Sequence, residues 1–162
     1  MSVIKDGPKL YKDLLSGVCR EVFGNEVKIE FFEECIKIAK TDGSQMYISY
    51  NVREPFTKTG INICDLNDIT VTLTDADGKP FYPQTTMYIY AVLNEAKTAF
   101  CRWYVIDRKR TLELYRSSEL YGYEKRNENE GSFAVFNVDD LVKRRLMERY
   151  KRAIPKQTEL NC

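Results

Sequence analysis

The chain contains no histidine in 162 residues. That excludes Ser-His and Cys-His catalysis, histidine-ligated zinc and an imidazole general base together. The five cysteines (Cys19, Cys35, Cys64, Cys101 and Cys162) form no CxxC pair, so a structural zinc site lacks its ligand set as well. Odd in number and widely spaced, they read as buried or incidental thiols in a reducing compartment. No run of eighteen apolar residues exists, which leaves no transmembrane helix. The opening MSVIKDGPKLYKDLL lacks the continuous apolar core of a signal peptide, and Cys162 is last rather than fourth from last, so it is no prenylation box. The expectation is a cytoplasmic protein without a membrane partner. Any enzyme here would work with carboxylates, Lys, Tyr or Cys.

What is present is ordinary in bulk and uneven in one place. Apolar content of 43% and charged content of 30% are globular values. The length suits a single domain over residues 1–162, burying about two-thirds of its unfolded surface, with a frayed tail over about 156–162. The uneven place is Leu141 to Lys156. It carries Lys143, Arg144, Arg145, Arg149, Lys151, Arg152 and Lys156 against one acid, Glu148, a local excess of six positive charges. The formal net charge is +1, so the remainder of the chain sums to −5. A block this local suits a negative partner, of which nucleic acid is the commonest.

Hydrophobic periodicity predicts the elements. Leu10, Leu14, Val18 and Val22 recur at helical spacing after Pro8, and Gly24-Asn25 stops the helix. VKIEFFEECIKIAK alternates as one long strand or two short ones; TDGSQ is a turn and MYISYNV a strand. DITVTLTD reads as a strand, Asp77-Gly78 as a turn, and MYIYAVLN with AFCRWYVI as two strands linked by Glu95-Ala96-Lys97. Asp107 to Leu120 reads as a short helix with Leu112, Tyr115 and Leu120 inward and Arg108, Lys109, Arg110 and Arg116 outward. YGYEKRN and GSFAVFNV flank a polar loop. A last helix starts near Asn137, with Val142, Leu146, Tyr150 and Ile154 as its apolar stripe and Pro155 as its end. The order predicts an α+β fold, a mixed and mostly antiparallel sheet flanked by an N-terminal and two C-terminal helices.

Three segments resemble the restriction-endonuclease-like, or PD-(D/E)XK, nuclease superfamily. IKIAKTDGSQMYISYN resembles its core hairpin. TKTGINICDLNDITVTL resembles a segment with Gly60-Ile61 and Asp68 at matching places. WYVIDRKRTLELY followed by GSFAVFNVDDL resembles its C-terminal half, in which two strands each lead into a helix. The resemblance implies an acid on one strand, then an acid and a lysine two residues apart on the next, holding Mg²⁺ and activating a water. If Lys40 is the motif lysine, the acid expected two places before it is replaced by Ile38, and the acid of the following strand by Ser49. Glu30, Glu33, Glu34 and Asp42 are near enough to supply carboxylates in their place. Glu30 and Glu34 would then hold the metal, and Lys40 or Lys37 would orient the water. A literal D…ExK string also exists, Asp77 followed by Glu95-Ala96-Lys97, where a surface turn is the plainer explanation.

The leading expectation is a nucleic-acid-binding protein, DNA ahead of RNA, with Mg²⁺ as cofactor only if it is a phosphodiesterase. Its phosphate contacts would come from Arg108, Lys109, Arg110, Arg144, Arg145, Arg149, Lys151 and Arg152. Tyr121 and Tyr123, beside Lys125 and Arg126, would suit stacking of single-stranded bases, although tyrosine also fills strands for its β-propensity. The alternative is a small non-enzymatic interaction protein, an inhibitor, immunity or accessory subunit, meeting an acidic protein surface through its basic C-terminal helix. A homodimer is compatible with either.

Overall fold

The computed structural model describes residues 7–32, 35–56, 60, 67–74, 77–79, 85–127 and 131–151. The first helix, α1, runs Gly7–Phe23 and buries Leu15, Val18 and Cys19. It stops where Gly24 takes φ +101°, a left-handed conformation cheap only for glycine, and donates its N–H to Arg20 O at 2.9 Å. The alternating stretch after it resolves into two short strands, β1 (Lys28–Phe32) and β2 (Cys35–Ala39), joined antiparallel; β3 (Gln45–Arg53) follows. Asp42 makes the β2–β3 turn by accepting from the Ser44 N–H at 2.8 Å and the Ser44 hydroxyl at 2.6 Å.

Strands β5 (Met87–Leu93) and β6 (Phe100–Asp107) are buried along almost their whole length. Period-two alternation explains it. Met87, Ile89, Ala91 and Leu93 join Trp103 and Val105 in a core beneath α1, together with Ile36, Ile38 and Ile48. Tyr88, Tyr90 and Val92 point the other way and join Tyr104 and Ile106 in a second core. That second core is closed by a three-stranded antiparallel sheet, β4 (Asp68–Thr72), β8 (Gly131–Asn137) and β7 (Tyr123–Asn127), and by two short helices, α2 (Arg108–Arg116) and α3 (Val138–Lys143). The main sheet has six strands in the order β1-β2-β3-β5-β6-β9, where β9 is Met147–Lys151; only β3 and β5 run parallel. The α+β class and the mixed, mostly antiparallel sheet therefore stand. The flanking differs from expectation: α1 covers one face, and a small sheet with two short helices covers the other. No helix among the described residues is long and apolar enough to cross a membrane.

The C-terminal basic segment is not the long helix its spacing predicts. The helix ends at Lys143, Arg145 turns the chain at φ +58°, Leu146 is buried, and Met147–Lys151 pairs with β6. The reason lies outside the segment. A strand covered on both faces leaves its outer row of N–H and C=O groups to be paired, and a ladder satisfies them. Helix propensity in a run rich in like charges is too weak to compete. The cysteine expectation changes at one position: Cys19 and Cys35 are free and buried, and burial pushes the Cys19 thiol up to about 12, whereas Cys101 is disulfide-bonded.

Gly122 marks where α2 hands over to β7. A Cβ there would lie 2.7 Å from the Phe136 ring, itself packed edge-on to Tyr115 at 5.4 Å. Gly122→Ala is therefore expected to destabilise by about 1–3 kcal/mol through overpacking, as a drop in the urea midpoint at unchanged m-value. Asn137→Ala removes the α3 cap, which accepts from Asp139 N at 2.9 Å and Asp140 N at 3.2 Å, and is expected to cost about 1 kcal/mol by the same measurement.

Candidate nucleic-acid interface

Two basic runs that lie far apart in sequence share one rim of the molecule. Asp107 ends β6 and caps α2, its carboxylate accepting from Arg110 N at 3.0 Å. The Asp107 N–H in turn donates to Leu146 O at 2.8 Å, which ties the start of α2 to the turn after α3. Lys109 and Arg110 on one side, and Lys143, Arg144 and Arg145 on the other, are all exposed. With Leu146 and Asp107 in hydrogen-bond contact, the backbones of Lys109 and Arg145 lie within roughly 10–15 Å of each other. The spacing-based reading named Arg144 and Arg145 but left Lys143 out, although it stands in the same run. Of the nearby acids, Asp107 caps α2 and Asp139 accepts from the Asn67 amide at 2.8 Å; Asp139 and Asp140, in the first turn of α3, stand only about 5–6 Å along the axis from Lys143 and Arg144, so they offset part of the rim's charge.

The backbone of α2 does not help. The N–H groups of Arg108 and Lys109 donate to Thr86 O at 2.9 and 3.2 Å, and that of Arg110 goes to Asp107, so an anion on this rim would be held by side chains. Arg108 itself is a correction. Expected outward and on phosphate, it is 6% exposed, with its guanidinium donating from Nη2 to Thr72 O at 3.1 Å across the layer. Burial lowers its pKa, yet guanidinium stays charged. It is a tie between the two sheets. Beside it, Tyr88 donates to Thr70 O at 3.0 Å and is pushed by burial to about 12. Arg149 pairs in register with Val105 and Lys151 with Trp103, so both belong to an outer strand rather than a helix face. Arg152 lies outside the described residues.

Among the described residues, the candidate catalytic groups do not converge. Glu30 is exposed on β1, opposite Lys37. Asp42 lies beyond the end of β2, on the order of 10 Å or more from Glu30 at 3.3 Å per residue, too far for one Mg²⁺ with ligands at about 2.1 Å. The Asp42 carboxyl is held below its usual range, first by the Ser44 hydroxyl and then by the Ser44 N–H. Lys40 sits over the Phe23 ring at 5.9 Å and shares with Asn25, Glu26 and Asp42 a cleft of about 400 Å³. Glu33 and Glu34 lie outside the described residues, and no cluster of three potential metal ligands occurs among the described ones. The motif positions are themselves split. Ile38 is buried beneath α1, whereas Ser49 is buried on the opposite face and accepts from the Thr85 hydroxyl at 3.2 Å. Acids at those two places would stand on opposite sides of the sheet. The D…ExK string is a turn: Lys97 has φ +58° and its ammonium pairs with Glu54 at 3.1 Å.

The described residues thus offer a basic rim and no assembled metal centre. No protein-family model, curated protein or solved structure matches the chain.

Proposed function

We propose that this chain binds nucleic acid through its phosphates, using Lys109, Arg110, Lys143, Arg144 and Arg145, and that it does so without cutting. The observation that carries the reading is the Asp107–Leu146 hydrogen bond, because it turns two separate basic runs into one surface. Three of the five cations are Arg, whose planar fork meets phosphate oxygens in pairs. The nuclease-like resemblance draws support from the β2–β3 hairpin and from the strand-to-helix units β6–α2 and β8–α3. Catalysis draws none from the scattered carboxylates.

The test is binding of labelled duplex and single-stranded oligonucleotides over a salt series, with plasmid cleavage followed in Mg²⁺ or Mn²⁺. The affinity is expected to fall steeply with salt, with a log–log slope of about −4.5 on duplex and about −3.5 on single strands for five phosphate contacts. EDTA is expected to leave binding unchanged. Absence of binding at low salt would sink the proposal, and metal-dependent cutting lost in Lys40→Ala would restore the enzymatic reading. The chain has no histidine, so no imidazole titrates near neutrality; the affinity is expected to be flat from about pH 5.5 to 7.5, as the same titration repeated across pH would check.

An acidic protein partner is favoured by one feature, the position of β9 at the margin of the main sheet. An edge strand beside a basic rim suits strand addition by an acidic segment. Saturable 1:1 binding to a protein, with no nucleic-acid affinity, would mark that case.

A further inference from the structure

We propose that the outward face of the small sheet is a stacking platform for single-stranded nucleic acid, a reading that rests on the phosphate-binding rim proposed above and names its substrate class. On this sheet Ile69, Val71, Ala134 and Phe136 pack into the core. Their neighbours therefore face away. The ladder sets Thr70, Val135 and Tyr123 in one row and Thr72, Phe133 and Lys125 in the next. Tyr123 and Phe133 stand on a diagonal, about 7 Å apart by sheet geometry. Tyr123, the exposed ring of the pair, would take a base of a splayed strand, with the part-buried Phe133 ring at its inner edge.

Exposure falls off across the face: Val135 is 5% exposed and Phe133 part-buried, so the open part of the platform is its Tyr121–Tyr123 end. Tyr123 is 40% exposed and Tyr121, just before it, 74%, although a tyrosine gains most by burying its ring. The Lys125 ammonium lies over the Tyr123 ring, 5.7 Å from its centroid, and would swing to an adjacent phosphate as a base takes that ring face. Gly122 holds the backbone between the two tyrosines against the Phe136 ring, where a Cβ would lie 2.7 Å away. The nearest acid in sequence, Glu124, accepts from the Tyr115 hydroxyl at 3.1 Å and falls on the core-facing side of the strand.

The platform is also within reach of the rim. Val135, paired with Tyr123, is two residues from Asn137, where α3 begins, and α3 ends at Lys143. Two strand residues and six helical ones span about 16 Å. That distance lies inside the ~4–16-nucleotide footprint of a single-strand-binding fold. A base on Tyr123 and phosphates on Lys143, Arg144 and Arg145 would then belong to one strand.

The test compares an oligothymidylate of about 12 nucleotides with an abasic oligomer of equal phosphate count by fluorescence anisotropy. The native chain should favour the oligothymidylate. Tyr123→Ala should lose about tenfold for that ligand and nothing for the abasic one, and Tyr123→Phe, which keeps the ring, should retain the preference. Equal affinity of the native chain for both ligands would overturn the platform and leave the rim standing. A thymidylate preference untouched in Tyr123→Ala would place the base contacts elsewhere and overturn it too. Binding of neither ligand would remove the platform and the rim together.

Discussion

Replacing Lys109, Arg110, Arg144 and Arg145 together by Gln is expected to lower nucleic-acid affinity on the order of a thousandfold at 0.1 M salt. Each phosphate contact contributes about 0.9 to the log–log salt slope on duplex, so four contacts removed account for about 3.6 decades between 0.1 and 1 M. The slope should flatten by the same amount, which separates a lost contact from a misfolded protein. All four side chains are exposed, so thermal stability should stay within about 1 kcal/mol of the parent. Arg108 supplies the internal control. Arg108→Ala removes a buried cation that donates to Thr72 O, so it should lower the melting temperature and leave the salt slope unchanged. A quadruple variant with the parent's slope would show that phosphate is met somewhere else.

Ile89→Ala is expected to cost about 2–5 kcal/mol, read as a fall in melting temperature of about 5–15 °C. Ile89 is 0% exposed, pairs with Val105 and Tyr50 in the ladders, and lies beneath α1. Its neighbours are held on two sides by strands and on a third by the helix, so the cavity left by truncation has little room to collapse. Phe32→Ala is the contrast. That ring is half exposed on the marginal strand β1, and its removal should change stability by no more than about 0.5 kcal/mol. If both variants melted alike, the double-faced burial of β5 would be wrong.

Local signals were readable wherever they closed within a few residues. Gly24 stopping α1, Asp42 and Gly43 turning β2 into β3, Asp107 and Asn137 capping α2 and α3, and the Glu95–Lys97 turn all act through backbone groups nearby. The final segment misled because Val142, Leu146 and Tyr150 recur at helical spacing. Nothing local reveals that β6, dozens of residues earlier, has a free row of backbone groups to satisfy. The small sheet hid for a related reason: β4, β7 and β8 each read as strands, but strand pairing is not a property of one strand. Of the candidate site, the individual cations were legible. Their convergence was not, and neither was the burial of Arg108, which comes from the second sheet reaching over it.

The sequence by itself determined what chemistry is absent, because no fold can supply an imidazole or a CxxC pair that the chain lacks. It also determined the local turns, caps and alternating strands, because these depend on near neighbours. Only the tertiary structure decided which charges meet, which arginine is buried and which carboxylates stay apart. Those outcomes depend on hydrogen-bonded ladders and packed layers between remote residues, such as Asp107 with Leu146 and Val105 with Arg149.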